Sequence, residues 1–344
     1  MDKRVKLRFY LREKGGVTVT EAALTTYLNT LPAGDAVLTV TGHPAPDTDA
    51  VISALFEAWR LTLGDIPAAP LVQGTLPRET AWLLGSLTSA VPTADAIDPA
   101  RRLVLTDHHD LSAYPNPVAA VVDHHPLSAA ADWDGVDAEV IPVGAATTLV
   151  ARRIRADGIT PDPVCARILL GAVLLDTEGL SHHKAKAEDL DVAAWLASLC
   201  GEDTTALFTQ LRAQLLSETD LVTLYRRDYR RYTAPDGAPL LGWAILKVWA
   251  DACPDLDGVR LLLAADPEPT RIAKIVLHHP DGGREEYYLA EGVHADTLLT
   301  VVQTSAGAGA QRVAPDTVYL PVGCYHWGRK RYAARLTELL GEKP

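Results

Sequence analysis

The chain has 344 residues, with 32 basic and 44 acidic side chains and a formal charge of −12. That length sets an expectation of about two domains. The acidic balance argues against a stable nucleic-acid partner, and an anionic ligand would need cations gathered locally. No apolar run reaches the roughly 18 residues of a membrane span, and the N-terminal MDKRVKLRFYLREKGG has no apolar signal core. Cys165, Cys200, Cys253 and Cys324 form no CxxC pair. The expectation is a cytoplasmic protein with no membrane partner, no zinc ribbon and no disulfide framework.

In chain order, Thr20–Leu31 has the apolar spacing of a helix. Residues 37–43 (VLTVTGH) read as a strand ending in a polar loop, and 49–63 (DAVISALFEAWRLTL) as an amphipathic helix. Apolar runs ending in acidic or His clusters recur at 101–110 (RRLVLTDHHD) and 118–127 (VAAVVDHHPL), and a further strand is expected at 138–143. VGAATTLVARRIRADG and DPVCARILLGAVLLDTEGL read as helices, the second ending near Asp176, and AEDLDVAAWLASL as a helix to about Leu199. Alternating strands and helices imply an α/β domain over 1–200 with a largely parallel sheet flanked by helices. Ligands of such sheets bind beyond the carboxyl ends of the strands. A linker is placed at 201–217, within a charged helical stretch that runs on to Pro-Asp-Gly at 235–237. Beyond it, strands are expected at 240–249 and 259–266. A hairpin should span 271–292, followed by a helix from 294, a strand at 317–323 and a terminal helix from 329. Together these make a smaller mixed α/β domain at 218–344.

The chemistry-bearing candidates are His43, Asp47, Asp49, Asp107, His108, His109, Asp123, His124, His125 and Asp176. Any one of them alone reads more readily as a solvated or hydrogen-bonded residue. Three His-bearing motifs, all ending predicted strands of one domain, fit that reading poorly. Carboxylates and imidazoles without thiolates suit Mn²⁺, Co²⁺ or Mg²⁺. Two such ions about 3.5–4 Å apart, sharing a carboxylate and a water, would activate that water and stabilise a leaving oxygen. The matching substrate class is a phosphate ester or anhydride.

GHPAPDTDAVISAL, TDHH, VVDHH and LLDT, in this order, resemble the four motifs of the DHH phosphoesterase superfamily. The match is to the branch holding family II (manganese-dependent) inorganic pyrophosphatases and prune-type exopolyphosphatases, over roughly residues 20–340. The resemblance implies two divalent ions, Mn²⁺ first and Co²⁺ or Mg²⁺ otherwise. His43 and Asp47 would bind one, Asp49, His124 and Asp176 the other, and Asp107 would bridge them. It also implies that His125 meets the substrate as donor or acid, that Asp123 orients His124, and that His108 supports rather than ligates. YRRDYRRYT (225–233) resembles the family's Asp-x-Lys-x-Phe segment, with Arg230 at the Lys position. WGRKRY (327–332) resembles its Ser-Arg-Lys-Lys segment and supplies Arg329 and Lys330. Read alone, each is a solvated charged face; read with the resemblance, they are substrate-binding cations that close over the phosphates.

Three features bear on the branch. The second motif is DHHD where typical family II pyrophosphatases have Asp-His-Asn, and Lys184 stands five residues before Asp189. Both are similar to the prune type, whereas His43 is the pyrophosphatase residue. The implied activity is hydrolysis of pyrophosphate to two phosphates with a bridging water as nucleophile, and Asp107, His125 and Lys184 as the catalytic set. The alternative is an exopolyphosphatase acting on short-chain polyphosphate. A phosphodiesterase of short oligonucleotides or cyclic dinucleotides ranks lower, because no Gly-Gly-Gly-His segment is present. A non-catalytic binding protein ranks lower too, because all six metal positions hold competent residues. A homodimer is an open expectation, residues 1–19 are left between an extra strand and a mobile tail, and His326 and the pair at 278–279 are expected to be structural or solvated.

Overall fold

Apolar runs broken by Gly, Pro and Asp become short strands, and longer periodic runs become helices. The computed structural model describes residues 17–34, 37–44, 46–126, 135–234, 237–324 and 327–341, in two units that divide the chain at Gln214 and Leu215.

The first unit runs β1 (Val17–Val19), α1 (Glu21–Asn29), β2 (Leu38–Thr41), α2 (Thr48–Leu63), β3 (Ala68–Pro70), β4 (Val72–Gln73), α3 (Arg78–Leu84), β5 (Thr93–Ala94), β6 (Arg102–Thr106), β7 (Val118–Asp123) and β8 (Asp137–Val140). It continues with α4 (Ala146–Ala156), β9 (Ile159–Pro161), α5 (Pro163–Asp176), α6 (Ala187–Cys200) and α7 (Thr204–Leu216). Five strands pair in the order β3-β2-β6-β7-β8, every pair parallel. β6 and β7 bury Leu103–Thr106 and Ala119–Asp123 without a break, as strands covered on both faces do. Because the strands run one way, the residues that follow β2, β6 and β7 share one edge of the sheet. Of the tail left open in the sequence, residues 1–16 lie outside the described residues, and Val17–Val19 pair in parallel with β9.

Helix α2 is buried from Thr48 to Leu61, and it carries charges inward with it. Arg60 donates to Glu57 at 2.8 and 2.9 Å and to Asp157 at 2.6 Å, while Arg153 on α4 donates to Glu57 at 2.8 Å and to Glu139 on β8 at 2.7 Å. Burial opposes ionisation of Glu57, but the Arg153 and Arg60 guanidiniums outweigh it and hold the carboxyl at about 2. This network clamps α2 to α4 behind the edge where the acidic motifs gather.

The second unit runs α8 (Leu221–Arg227), β10 (Arg230–Thr233), β11 (Pro239–Trp249), α9 (Leu256–Ala265), β12 (Thr270–His278), β13 (Arg284–Gly292), α10 (Ala295–Ala306), β14 (Gln311–Ala314), β15 (Thr317–Leu320) and α11 (Arg329–Gly341). Its six strands pair in the order β10-β11-β12-β13-β15-β14. β11 and β12 are parallel and the other pairs antiparallel. One face packs Trp243 and Tyr288 against Leu298, Val302 and Tyr332 of α10 and α11. The other packs Leu246 and Ile275 against Leu224, Val259 and Leu263 of α8 and α9.

Two expectations change. Residues 259–266 are not a strand but the end of helix α9. Asp255 accepts the N–H groups of Asp257 and Gly258 at its start, and Val259 and Leu263 are buried while Leu261 is 72% exposed. A strand would have put these three on one face, whereas a helix separates position 261 from the other two. The stretch at 201–217, expected as a linker within a helical run, is largely helix α7, and it belongs to the first unit, because Leu207 and Leu211 share a helical face and enter that unit's core. 

Replacing Glu57 by Ala would leave Arg60 and Arg153 buried without their shared partner, and should lower the unfolding free energy in urea by about 3–5 kcal/mol. Since the folded pKa of about 2 lies below the ordinary 4.5, the Glu57 contribution is present above pH 4.5 and fades as pH falls toward 2. Urea midpoints across that window should fall less steeply in Glu57→Gln than in the native protein.

Candidate metal centre

β2 ends at Thr41, and at Gly42, the next residue, a Cβ would sit 2.6 Å from Ala50 Cβ, so only glycine lets the chain pass the first turn of α2. Asp47 is the N-cap of α2, its Oδ1 accepting the Ala50 N–H at 3.0 Å, an ordinary capping role. Its Oδ2 is 3.8 Å from His43 Nε2. Asp49 is buried in the first turn and reaches across to another helix: its two oxygens accept the N–H groups of Ala146 at 2.6 Å and Thr147 at 2.8 Å. These are orphan donors at the start of α4, whose own N-cap, Ala145, has no side chain to offer them.

After β6, Asp107 adopts a left-handed backbone with φ of 55°, uncommon for a residue with a Cβ. Its amide donates to Val122 O at 2.9 Å. Its buried carboxylate places Oδ2 3.5 Å from His43 Nε2 and Oδ1 3.1 Å from His124 Nε2. His124 Nε2 is also 3.6 Å from Asp176 Oδ2 and 4.0 Å from Asp49 Oδ2. In both histidines a backbone carbonyl takes the other ring nitrogen: His43 Nδ1 donates to Pro44 O and His124 Nδ1 to Val143 O, each at 3.0 Å. A carbonyl can only accept, so Nε2 is the atom turned to the carboxylates. Asp176 is the last residue of α5, where a carboxylate opposes the helix dipole.

Two three-residue sets emerge, His43–Asp47–Asp107 and Asp49–His124–Asp176, each with its ligand atoms within 4.8 Å of one another. The electrostatics call for cations. Burial, then Asp107 and Asp176, push Asp49 well above the usual carboxylate range. Burial, then Asp47, push Asp176 up to about 6. Burial opposes charge on the histidines, but Asp107 and its neighbours outweigh it, raising His124 to about 11 and His43 well above its ordinary value. Asp107 Oδ1 is buried without a hydrogen bond of ordinary geometry. Two imidazoles, four carboxylates and no thiolate suit manganese, and four carboxylates balance two divalent ions.

The histidines after β7 divide differently from the expectation. Asp123 accepts the His124 backbone N–H at 2.7 Å, the His125 N–H at 3.2 Å and His125 Nδ1 at 2.9 Å through Oδ1, and His109 Nδ1 through Oδ2. It thus orients the rings of His125 and His109, while the Val143 carbonyl orients that of His124. Burial opposes its charge, but His125 and His109 outweigh it and hold Asp123 below the usual carboxylate range. His108 packs edge-on against Tyr114, ring centroids 5.7 Å apart. Burial, then His43, push it down to about 4. Lys184 Nζ donates to the backbone carbonyl of Asp176 at 3.2 Å and lies 3.8 Å from Glu178.

In the second unit, Arg230 opens β10 and has no carboxylate within 4.0 Å among the described residues. Arg329 opens α11 and donates to the Asp228 carbonyl at 2.9 Å and its carboxylate at 2.6 Å. Through Asp228, two residues before Arg230, Arg329 ties the start of α11 to the start of β10 within this unit. His279 pairs with Glu285 at 2.8 Å. The side chain of Lys330, and His326, lie outside the described residues. Sequence reasoning missed the 143–148 segment, which acts mainly through main-chain groups and so leaves no residue-type signal.

Manganese should displace the proton held by His124, raised to about 11 by its carboxylate neighbours against the cost of burial. Titration at pH 7 in buffers of different ionisation enthalpy should show proton release, with affinity rising as pH rises, and Asp107→Asn should weaken both sites.

No family model matches the chain. The chain is 31% identical over 219 residues to a Deinococcus radiodurans protein described as a probable manganese-dependent inorganic pyrophosphatase, covering 61% of this chain and 69% of that one. It is 29% identical over 172 residues to a manganese-dependent inorganic pyrophosphatase of Methanothrix thermoacetophila. That match covers 48% of this chain and spans only 55% of the relative. Among solved structures, a Methanococcus jannaschii protein described as a family II inorganic pyrophosphatase superposes with a TM-score of 0.65 at 19% identity, over 88% of this chain and 100% of that one; that likeness is one of fold. With the identity to the Deinococcus protein extending over more than two thirds of its length, the chain belongs to the manganese-dependent inorganic pyrophosphatases.

Proposed function

We propose that this chain hydrolyses inorganic pyrophosphate to two phosphates in the presence of manganese. The observation that carries the reading is Asp107, buried between the two ligand sets with one oxygen toward His43 and the other toward His124. In this reading His43 and Asp47 hold one ion, Asp49, His124 and Asp176 the other, and Asp107 both. Manganese bound there makes water a stronger acid and neutralises charge on phosphoryl oxygens.

The chain's own residues do the rest. His125, its side chain 42% exposed, gives Nδ1 to Asp123 and keeps Nε2 for a phosphate oxygen. Arg230 and Arg329 bind phosphate, for which the guanidinium fork is suited, and Asp228 fixes the aim of Arg329. Lys184 adds positive charge at the end of α5, beside Asp176. A cytoplasmic location goes with this reading, since the four cysteines are free. No helix among the described residues is long and apolar enough to cross a membrane.

The test is phosphate release from pyrophosphate, tripolyphosphate and long polyphosphate with Mn²⁺, Co²⁺ or Mg²⁺. Pyrophosphate with Mn²⁺ should be turned over fastest. Preference for tripolyphosphate would favour the exopolyphosphatase alternative, and release from none would contradict hydrolysis. His125→Ala should cut kcat by about 10² or more with Mn²⁺ affinity kept, whereas Arg329→Ala should chiefly raise KM.

A further inference from the structure

We propose that Asp189 is a positioning residue that assembles one of the two ligand sets, Asp49–His124–Asp176, and leaves the other alone; this rests on the two-metal reading above. Asp189 lies in the first turn of α6 and is fully buried. Among the described residues, its carboxylate bonds to Gly144, Lys186 and Thr148 and to none of the six ligand side chains. Its Oδ2 accepts the N–H groups of Gly144 and Lys186, each at 2.7 Å, and its Oδ1 accepts the Thr148 hydroxyl at 2.6 Å. One carboxylate therefore pins both ends of the segment Gly144–Thr148 to the start of α6.

That segment, with Val143 just before it, holds two members of one set directly and reaches the third through its chain neighbour Thr177. Val143 O receives His124 Nδ1–H and so turns Nε2 to the cluster. The amides of Ala146 and Thr147 hold the two oxygens of Asp49. Gly144 packs on Thr177, the residue after Asp176: a Cβ there would stand 2.6 Å from Thr177 Cγ2 and 2.8 Å from Asp189 Oδ2. The other set draws on different supports. His43 is turned by Pro44 O, Asp47 by the Ala50 amide, and Asp107 follows from its left-handed backbone and the bond of its amide to Val122 O. None of these belongs to the 143–148 segment. Asparagine at 189 would turn an NH₂ toward donors that need an acceptor, loosening the segment while nearly keeping the volume.

The experiment is calorimetric titration of Mn²⁺ into the full chain. It compares the native protein with Asp189→Asn, Thr148→Val, Asp49→Ala and His43→Ala, with thermal melting of each as the check on folding. Two sites are expected in the native protein. Asp189→Asn should weaken by about 10–100-fold the site that Asp49→Ala removes, and weaken the site that His43→Ala removes clearly less, the shared Asp107 carrying only part of the loss across. Thr148→Val should weaken the same site by less, and gives the reading if Asp189→Asn does not fold. Equal loss at both sites, loss at the His43 site instead, or no change in folded variants would overturn the role of Asp189. Fewer than two ions bound by the native protein would overturn the two-metal reading, and this inference with it.

Discussion

Four carboxylates and two imidazole nitrogens face one another in a cluster that is largely buried apart from Asp47, and like charges at that distance separate unless something holds them. The holding groups are mostly backbone. Amides of α4 grip Asp49, an α2 amide donates to Asp47, and carbonyls of Pro44 and Val143 turn His43 and His124. The side chains left pointing at each other, two imidazoles and four carboxylates, form a donor set suited to divalent cations. Asp107, in a left-handed conformation that few residues with a Cβ adopt, is where the strain and the charge coincide, as they do at functional sites.

The parallel sheet makes the gathering possible. β2, β6 and β7 are adjacent and run one way, so three short polar loops far apart in sequence open on one edge. Behind them the Glu57, Arg60, Arg153 and Asp157 network fixes α2 relative to α4. The helix that presents Asp47 and Asp49 and the helix that receives Asp49 are thus tied together at a second point, about two turns further along each helix.

Much of this was legible beforehand. Period-two and continuous apolar runs mark the strands, and the His and Asp residues at their ends mark the edge. VRLLLAAD was misread because a short apolar run is ambiguous between strand and helix. The burial of Val259 and Leu263 with Leu261 exposed resolves it. The His124 partner was misread for another reason: Asp123 is its neighbour in sequence, but a carbonyl some twenty residues on takes the ring, and carbonyls carry no residue-type signal. Asp189, an ordinary acidic residue at a helix start by its sequence, acquires its importance from the segment it pins.

The most direct measurement is anomalous X-ray scattering at the manganese edge from crystals of the metal-loaded protein. A centre of the kind described here predicts two peaks about 3.5–4 Å apart, each touched by an oxygen of Asp107, one beside His43 and the other beside His124. A single peak, or two peaks without Asp107 between them, would contradict it.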